Sequence, residues 1–179
     1  MAGPFPATIP IGGQVMPFPL PFLPKLDWHP GPAGGKRYYG APRDGKRKHA
    51  ACDLIAPKGT EIFAVDEGTV IRGPYPFYHG TDALEVKHRY FTVRYCEILK
   101  AAAGIKIGRK VHQGEVIAYV GKMAKDSMLH FEMYDGSGSG ALTVRSNPPF
   151  QRRSDLIDPT PYLDHWSRHL MACHEDIIP

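Results

Sequence analysis

Apolar and polar residues alternate along five stretches of the chain: TEIFAVDEGTVI (60–71), ALEVKH (83–88), YFTVRYCEIL (90–99), GEVIAYVG (114–121) and SMLHFEMY (127–134). Strand side chains point to opposite faces in turn, so a period of two predicts strands with one face toward a core. Gly and Pro punctuate every gap between these stretches, as short antiparallel strands joined by turns require. The pattern therefore predicts an all-β core built on an antiparallel sheet.

Two segments read differently. The alanines of LKAAAGI (99–105) favour a short helix that Gly104 would end. In DPTPYLDHWSRHLMACHE (158–175), Thr160 suits the N-cap and Pro161 the first helical position. Leu163, Trp166, Leu170 and Cys173 then form one apolar stripe, and Asp164 and Arg168 an i,i+4 pair. Between the last strand and this helix lies DGSGSGALTVRSNPPFQRRSDL (135–156), a long loop whose glycines predict flexibility and whose length suggests a functional role. Residues 1–35 are rich in Pro, Gly and Phe and carry neither period, which predicts an extended arm. Its FPLPFLPKLDW segment (18–28) is too apolar for a solvated tail and is expected to lie against the domain.

Composition narrows the class of protein. A chain of 179 residues suffices for one domain with a core, and 42% apolar with 22% charged residues is near the globular norm. The formal net charge of +4 is scattered, with GKRKH the one dense basic run, so nucleic acid is not indicated as a partner. No apolar run approaches the roughly 20 residues that a membrane-spanning helix needs. The N-terminal region has no basic segment, and Pro4, Pro6, Pro10, Pro17, Pro19, Pro21 and Pro24 interrupt any helical signal sequence, so synthesis in the cytoplasm without a cleaved signal is the expectation. Cys52, Cys96 and Cys173 form no CxxC pair and are expected as free thiols.

The candidate chemistry starts with His49 and Asp53, four residues apart in KRKHAACDLIAPKGT. In a straight strand they would stand about 13 Å apart, too far to share an ion. Pro57 and Gly59 oppose a helix, so they meet only if His49 sits on a bend and Asp53 at the start of a strand. On spacing alone, a metal pair and a decorated loop are both open. In SMLHFEMY, alternation puts Met128, His130 and Glu132 on the face opposite Leu129, Phe131 and Met133.

These segments, taken in order, resemble the LytM/lysostaphin-type zinc metallopeptidases. HAACDLIAPKGTEIFAVDEGTVI matches the family's HxxxD segment and the hairpin after it. RYCEI stands where the family has a YAHL-like strand, KVHQGEVIAYVG matches a second hairpin, MLHFE the closing HLHFE, and IDPTPYL the terminal VDPTPYL. The match spans residues 36–163, leaving 1–35 as an arm and 164–179 as a C-terminal helix and tail. It implies the duplicated hybrid-motif β fold, with His49, Asp53 and His130 holding Zn²⁺ and a fourth tetrahedral position open. It further implies a peptidoglycan endopeptidase.

Two positions depart from the family pattern. The first closing histidine is Met128, and the histidine of the YAHL segment is Glu97. Met128 offers no proton, whereas Glu97 can act as general base. The oxyanion donor would then be sought in His88 or His112, because alternation turns Arg94 away from Glu97. His29, His79, His165, His169 and His174 read as solvated or capping residues, and Cys52 and Cys96 as packing on the far face. Tyr38, Tyr39, Tyr75, Phe77 and Tyr78 are candidates for a groove wall or for ordinary packing. The alternatives are a non-catalytic module that binds peptidoglycan or activates a partner hydrolase, which loss of both auxiliary histidines favours, and an amidase using the same zinc. Delivery to the periplasm or wall by a phage lysis route or a secretion apparatus, as an antibacterial effector with an immunity or delivery protein, completes the expectation.

Overall fold

The computed structural model describes residues 17–175 apart from 26 and 34, with no side chain described at 169 or at 171–175. Nine strands form one antiparallel sheet: β1 (Cys52–Ile55), β2 (Glu61–Phe63), β3 (Gly68–Pro76), β4 (Asp82–His88), β5 (Thr92–Ala101), β6 (Lys110–Val111), β7 (Val116–Val120), β8 (Met128–Tyr134) and β9 (Leu156–Ile157). The main path runs β1-β8-β5-β4-β3-β6, β7 links β2 to the far end of β5, and β9 pairs with β8. One helix, α1 (Thr160–Glu175), follows. The five alternating stretches all become strands, and the all-β architecture with a short terminal helix is the one observed.

Register sorts the side chains of the central strands. Leu54↔Leu129, Tyr95↔Phe131, Leu84↔Tyr95 and Val70↔Val86 are directly opposed. Opposed residues share a face, so these build the apolar side of the sheet. Asp53↔His130, Cys96↔His130, Arg94↔Glu132, Glu85↔Arg94 and Arg72↔Glu85 share the other, which is polar and largely buried.

The apolar face is closed by the arm and the helix. Phe18, Leu20 and Trp28 are buried in the core together with Leu163, Trp166 and Leu170, so the arm lies against the domain where it is described. Each such side chain contributes about 1.5–3 kcal/mol by leaving water. The helix stripe follows the expected spacing up to Leu170; Cys173 and residues 1–16 lie outside what is described. Asp164 is not paired with Arg168; it accepts from the Trp28 indole at 3.3 Å and contacts His29 Nε2, fastening arm to helix.

Two local expectations are corrected. Residues 99–105 form no helix: β5 continues through Ala101, with Ile98↔Val120 and Ala101↔Ala118, and Ala102 donates to Ile117. A helix of this length is marginal, and pairing along β7 satisfies the same backbone groups with more partners. The helix starts one residue earlier than expected: Thr160 is already helical, the Asp158 carboxylate accepts from its amide at 2.8 Å, and the Leu163 amide bonds to Pro159 O. Pro159 O thus accepts the first intrahelical bond, and the Thr160 hydroxyl contacts Cys52 Sγ rather than capping the helix.

The long loop after β8 is tied down despite its glycines. Arg153 pairs with Asp155 through two bonds of 2.5 and 2.7 Å, Gly138 N donates to Asp155, and Asn147 donates to Arg152 O. These bonds aim Arg152 back under the sheet, where it meets Glu132.

Candidate metal centre and its surroundings

A bend brings His49 toward Asp53. Gly40 N donates to His49 O and His49 N to Ala41 O, folding residues 40–49 into a narrow loop that delivers His49 just before β1. Asp53 sits on β1 opposite His130 on β8, so the register alone places this carboxylate and this imidazole side by side. Three donor atoms converge. Asp53 Oδ1 is 2.8 Å from His130 Nδ1 and 3.1 Å from His49 Nε2, and the two nitrogens are 3.2 Å apart. All three residues are at least nine-tenths buried.

Hydrogen bonds on the outer side fix which nitrogens carry lone pairs. His49 Nδ1 donates to Tyr38 O at 2.9 Å, which leaves Nε2 as its donor atom toward the centre. His130 Nε2 lies 3.0 Å from Glu132 Oε1, which leaves Nδ1. This is the outer bonding by which metal-ligating imidazoles are oriented. Donors of a tetrahedral zinc site lie about 2.0–2.2 Å from the ion and so about 3.3–3.6 Å from one another. The separations here fall a few tenths of an ångström short, and small outward rotations accommodate a cation. Two imidazoles and a carboxylate are also the right chemistry, so the residues fit the ion.

Glu132 is fully buried and heavily partnered. It accepts from Arg94 Nε and Nη2 at 2.9 and 2.6 Å, from Arg152 Nε and Nη2 at 3.0 and 2.9 Å, and from the Tyr134 hydroxyl at 2.6 Å. Burial alone would raise its carboxyl; Arg94 and Arg152 outweigh burial and hold it well below the usual range. For Asp53, burial is likewise outweighed by the bonds from His130 and His49, and its carboxyl is lowered. Burial lowers His49, whereas His130, where the bonds to Asp53 and Glu132 exceed the burial penalty, rises to about 9. The centre is built to hold positive charge.

Glu97 joins this centre through a β-bulge. The pairing of β5 skips it, Cys96 facing Ala83 and Ile98 facing Asp82, and its φ of 63 is left-handed. A bulge inserts one residue and re-aims a side chain. The bend is accommodated by Gly121, whose amide donates to Glu97 O at 2.8 Å and where a Cβ would come within 2.5 Å of that oxygen. Glu97 feels His130, Asp53 and Arg43, and burial pushes its carboxyl up to about 7. Because the bulge breaks the alternation, Cys96 does not face away: its thiol lies with His130 and Glu132, and burial pushes it well above the ordinary range. Arg94 is corrected in the same way, since it stands on the face of the centre, locked to Glu132.

The two auxiliary histidines expected from the sequence are elsewhere. His88 packs against the apolar side, bonding to Glu67 O at 3.1 Å and to the Tyr95 hydroxyl at 3.2 Å. His112 is exposed on the turn between β6 and β7, where its amide donates to Glu115. Burial lowers His88 to about 4, so its neutral form is the folded one. Folding stability from His88 is therefore complete above its unfolded pKa of 6.5 and is lost as pH falls through 6.5 toward 4. Urea unfolding should show the wild type losing about 2 kcal/mol more than His88→Gln between about pH 7.5 and about pH 5; parallel curves would contradict this.

The aromatic candidates divide between the centre and ordinary packing. Phe77 places its ring 5.9 Å from His130 and 5.4 Å from the Arg94 guanidinium, forming a wall of the centre. Tyr39 stacks on Phe150, Tyr75 bonds Glu85, and Tyr78 is exposed. Arg43 and Arg152 carried no signal, because both depend on loop conformation.

The model of peptidase family M23 matches residues 47–141, more than half of the chain and the whole span from His49 to His130. The chain belongs to peptidase family M23. Solved structures agree with this M23 fold. Lysostaphin from Staphylococcus simulans, described as an antimicrobial peptidase, superposes with a TM-score of 0.57 at 21% identity over 72% of this chain and 49% of that one. LytU gives 0.51 at 28% identity over 66% and 74%. The catalytic domain of the prophage-encoded M23 protein EnpA from Enterococcus faecalis, solved as a point mutant, gives 0.51 at 23% identity over 79% and 92%. This M23 chain thus spans about half the length of lysostaphin. A comparison with curated proteins gives no match. Among the described residues, no helix is long and apolar enough to cross a membrane.

Proposed function

We propose that this M23 protein is a zinc-dependent hydrolase of peptide cross-links in peptidoglycan. The observation that carries the reading is the convergence of His49 Nε2, Asp53 Oδ1 and His130 Nδ1 within 3.2 Å of one another, each imidazole already oriented from behind. A divalent cation held there supplies Lewis acidity and an acidified water. The protein supplies the rest. His49, Asp53 and His130 hold the ion, and the Glu132 cluster fixes His130.

Glu97 takes the proton of the attacking water and returns it to the departing amine, a task suited to a carboxyl raised to about 7. Phe77 screens His130 on one side. The substrate class follows the family resemblance and the antimicrobial peptidase among the fold relatives. Action at the wall or periplasm, with a delivery or immunity protein as partner, is the matching setting.

The test is metal content followed by activity. Purified protein should carry one zinc per chain and release cross-linked peptide fragments from cell walls; chelation should abolish release, and added zinc should restore it. Product masses separate an endopeptidase from an amidase. Bound zinc without release of any fragment would overturn hydrolysis and leave the wall-binding module, the role that Met128 in place of a histidine would favour.

A further inference from the structure

The centre contains three arginines, and they differ in what their N–H groups already do. Arg94 is 2% exposed, with Nε and Nη2 on Glu132 and Nη1 on the Thr143 hydroxyl at 2.8 Å. Arg152 has Nε and Nη2 on Glu132 and Nη1 on Gln151 O. Both are spent on structure. Arg43 is not: its Nη1 lies 3.4 Å from Pro42 O, and its Nη2 stands 3.6 Å from Asp53 Oδ2, beyond ordinary hydrogen-bond length. Its side chain is 28% exposed.

We propose that Arg43 is a catalytic residue of the hydrolysis set out above, the cationic donor that meets the substrate's carbonyl oxygen as charge develops on it. The inference rests on the hydrolase reading. The backbone root of Arg43 is fixed, since its amide donates to Arg47 O at 3.0 Å and Pro42 bridges to Lys48. Its Nη2 stands beside the Asp53 carboxylate, so the guanidinium borders the donor triad, and its charge acts on His49 and Glu97. The Oδ2 of Asp53 keeps it near without consuming its donors.

The step balances. Water oxygen bonds to the carbonyl carbon, the water proton passes to Glu97, and the carbonyl π pair moves onto oxygen beside Arg43. The C=O bond then re-forms, the C–N bond breaks, and Glu97 returns the proton to the amine nitrogen. A guanidinium is always charged and offers paired N–H groups, which suits an oxygen that is negative only in transit. It also supplies the cationic donor that Met128 and an ionised Glu97 cannot.

The experiment uses the zinc-loaded full chain and inorganic phosphate as a tetrahedral anion, titrated by calorimetry into wild type, Arg43→Gln and Arg43→Lys. Phosphate should bind the wild type, at least about ten-fold more weakly Arg43→Gln, and with intermediate strength Arg43→Lys. Zinc content and melting temperature should stay unchanged. Cleavage should fall about 10²–10³-fold in kcat for Arg43→Gln, with KM altered only a few-fold. Equal phosphate affinity, or none in the wild type, overturns the proposal. Loss of zinc in Arg43→Gln also overturns it, since Arg43 would then be a positioning residue for Asp53. A wild type that binds phosphate through Arg43 yet cleaves nothing overturns the hydrolase reading and the catalytic role together, so the two failures are told apart.

Discussion

Glu97→Gln is expected to cut peptide release from cell walls by about 10²–10⁴-fold, the span that loss of a general base produces, with zinc content unchanged. Glutamine keeps the shape and the bulge but accepts no proton. Glu97 is not one of the three converging donors, so metal retention separates its role from ligation. A second readout is the rate profile against pH. The wild type should lose activity as Glu97 is protonated, at or below about pH 7, and the variant's residual rate should lack that acid limb.

Stability should move the other way. In the zinc-free protein the folded carboxyl is raised from 4.5 to about 7 by burial, so the stability present below pH 4.5 is lost as pH rises toward 7. Removing the carboxylate removes that penalty, so zinc-free Glu97→Gln should melt no lower than the wild type at pH 8. Unchanged cleavage in the variant would take Glu97 out of the mechanism.

Glu132→Ala is expected to be the most damaging single change outside the three donors. It would leave Arg94 and Arg152 charged and without their carboxylate, and Arg94 is 2% exposed. Breaking a buried pair from one side costs about 3–5 kcal/mol. The same change frees His130 Nε2, whose partner fixes Nδ1 as the inward donor atom. Zinc affinity should drop about 10–100-fold, as for other losses of outer bonding. Glu132→Gln keeps the volume and one acceptor, so it should fold better than the alanine variant while showing most of the loss in zinc affinity. Chelator competition on both variants checks this, and full affinity in Glu132→Gln would show that His130 is oriented by packing alone.

Most of the fold was legible because period-two alternation survives in five stretches of the chain and records one buried face. The helix at residues 99–105 was misread because alanine propensity is local, whereas the β7 partner that claims this backbone is not. At the centre, His49, Asp53 and His130 were legible as candidates, and the bend that unites the first two was the geometry their spacing demanded. Arg94 and Cys96 were placed on the wrong face for one reason: strict alternation was carried through Glu97, where the chain adds a residue. A non-glycine residue at φ 63 leaves little trace in composition or periodicity. His88 and His112 offered suitable chemistry at unsuitable places, since a histidine's identity says nothing of the face it occupies.

The amino-acid order by itself determined the strands, the apolar stripe of the helix and the family, and its motifs singled out the three candidate donors, because each is written in local pattern or in short motifs. Only the tertiary structure decided that Asp53 stands opposite His130, that a bulge turns Glu97 toward them, and that Arg43 keeps donors to spare while Arg94 and Arg152 do not. Those outcomes depend on register between strands distant in sequence and on where loops return. Contacts of that kind are set by the packing of the whole domain, and no window of neighbouring residues contains them.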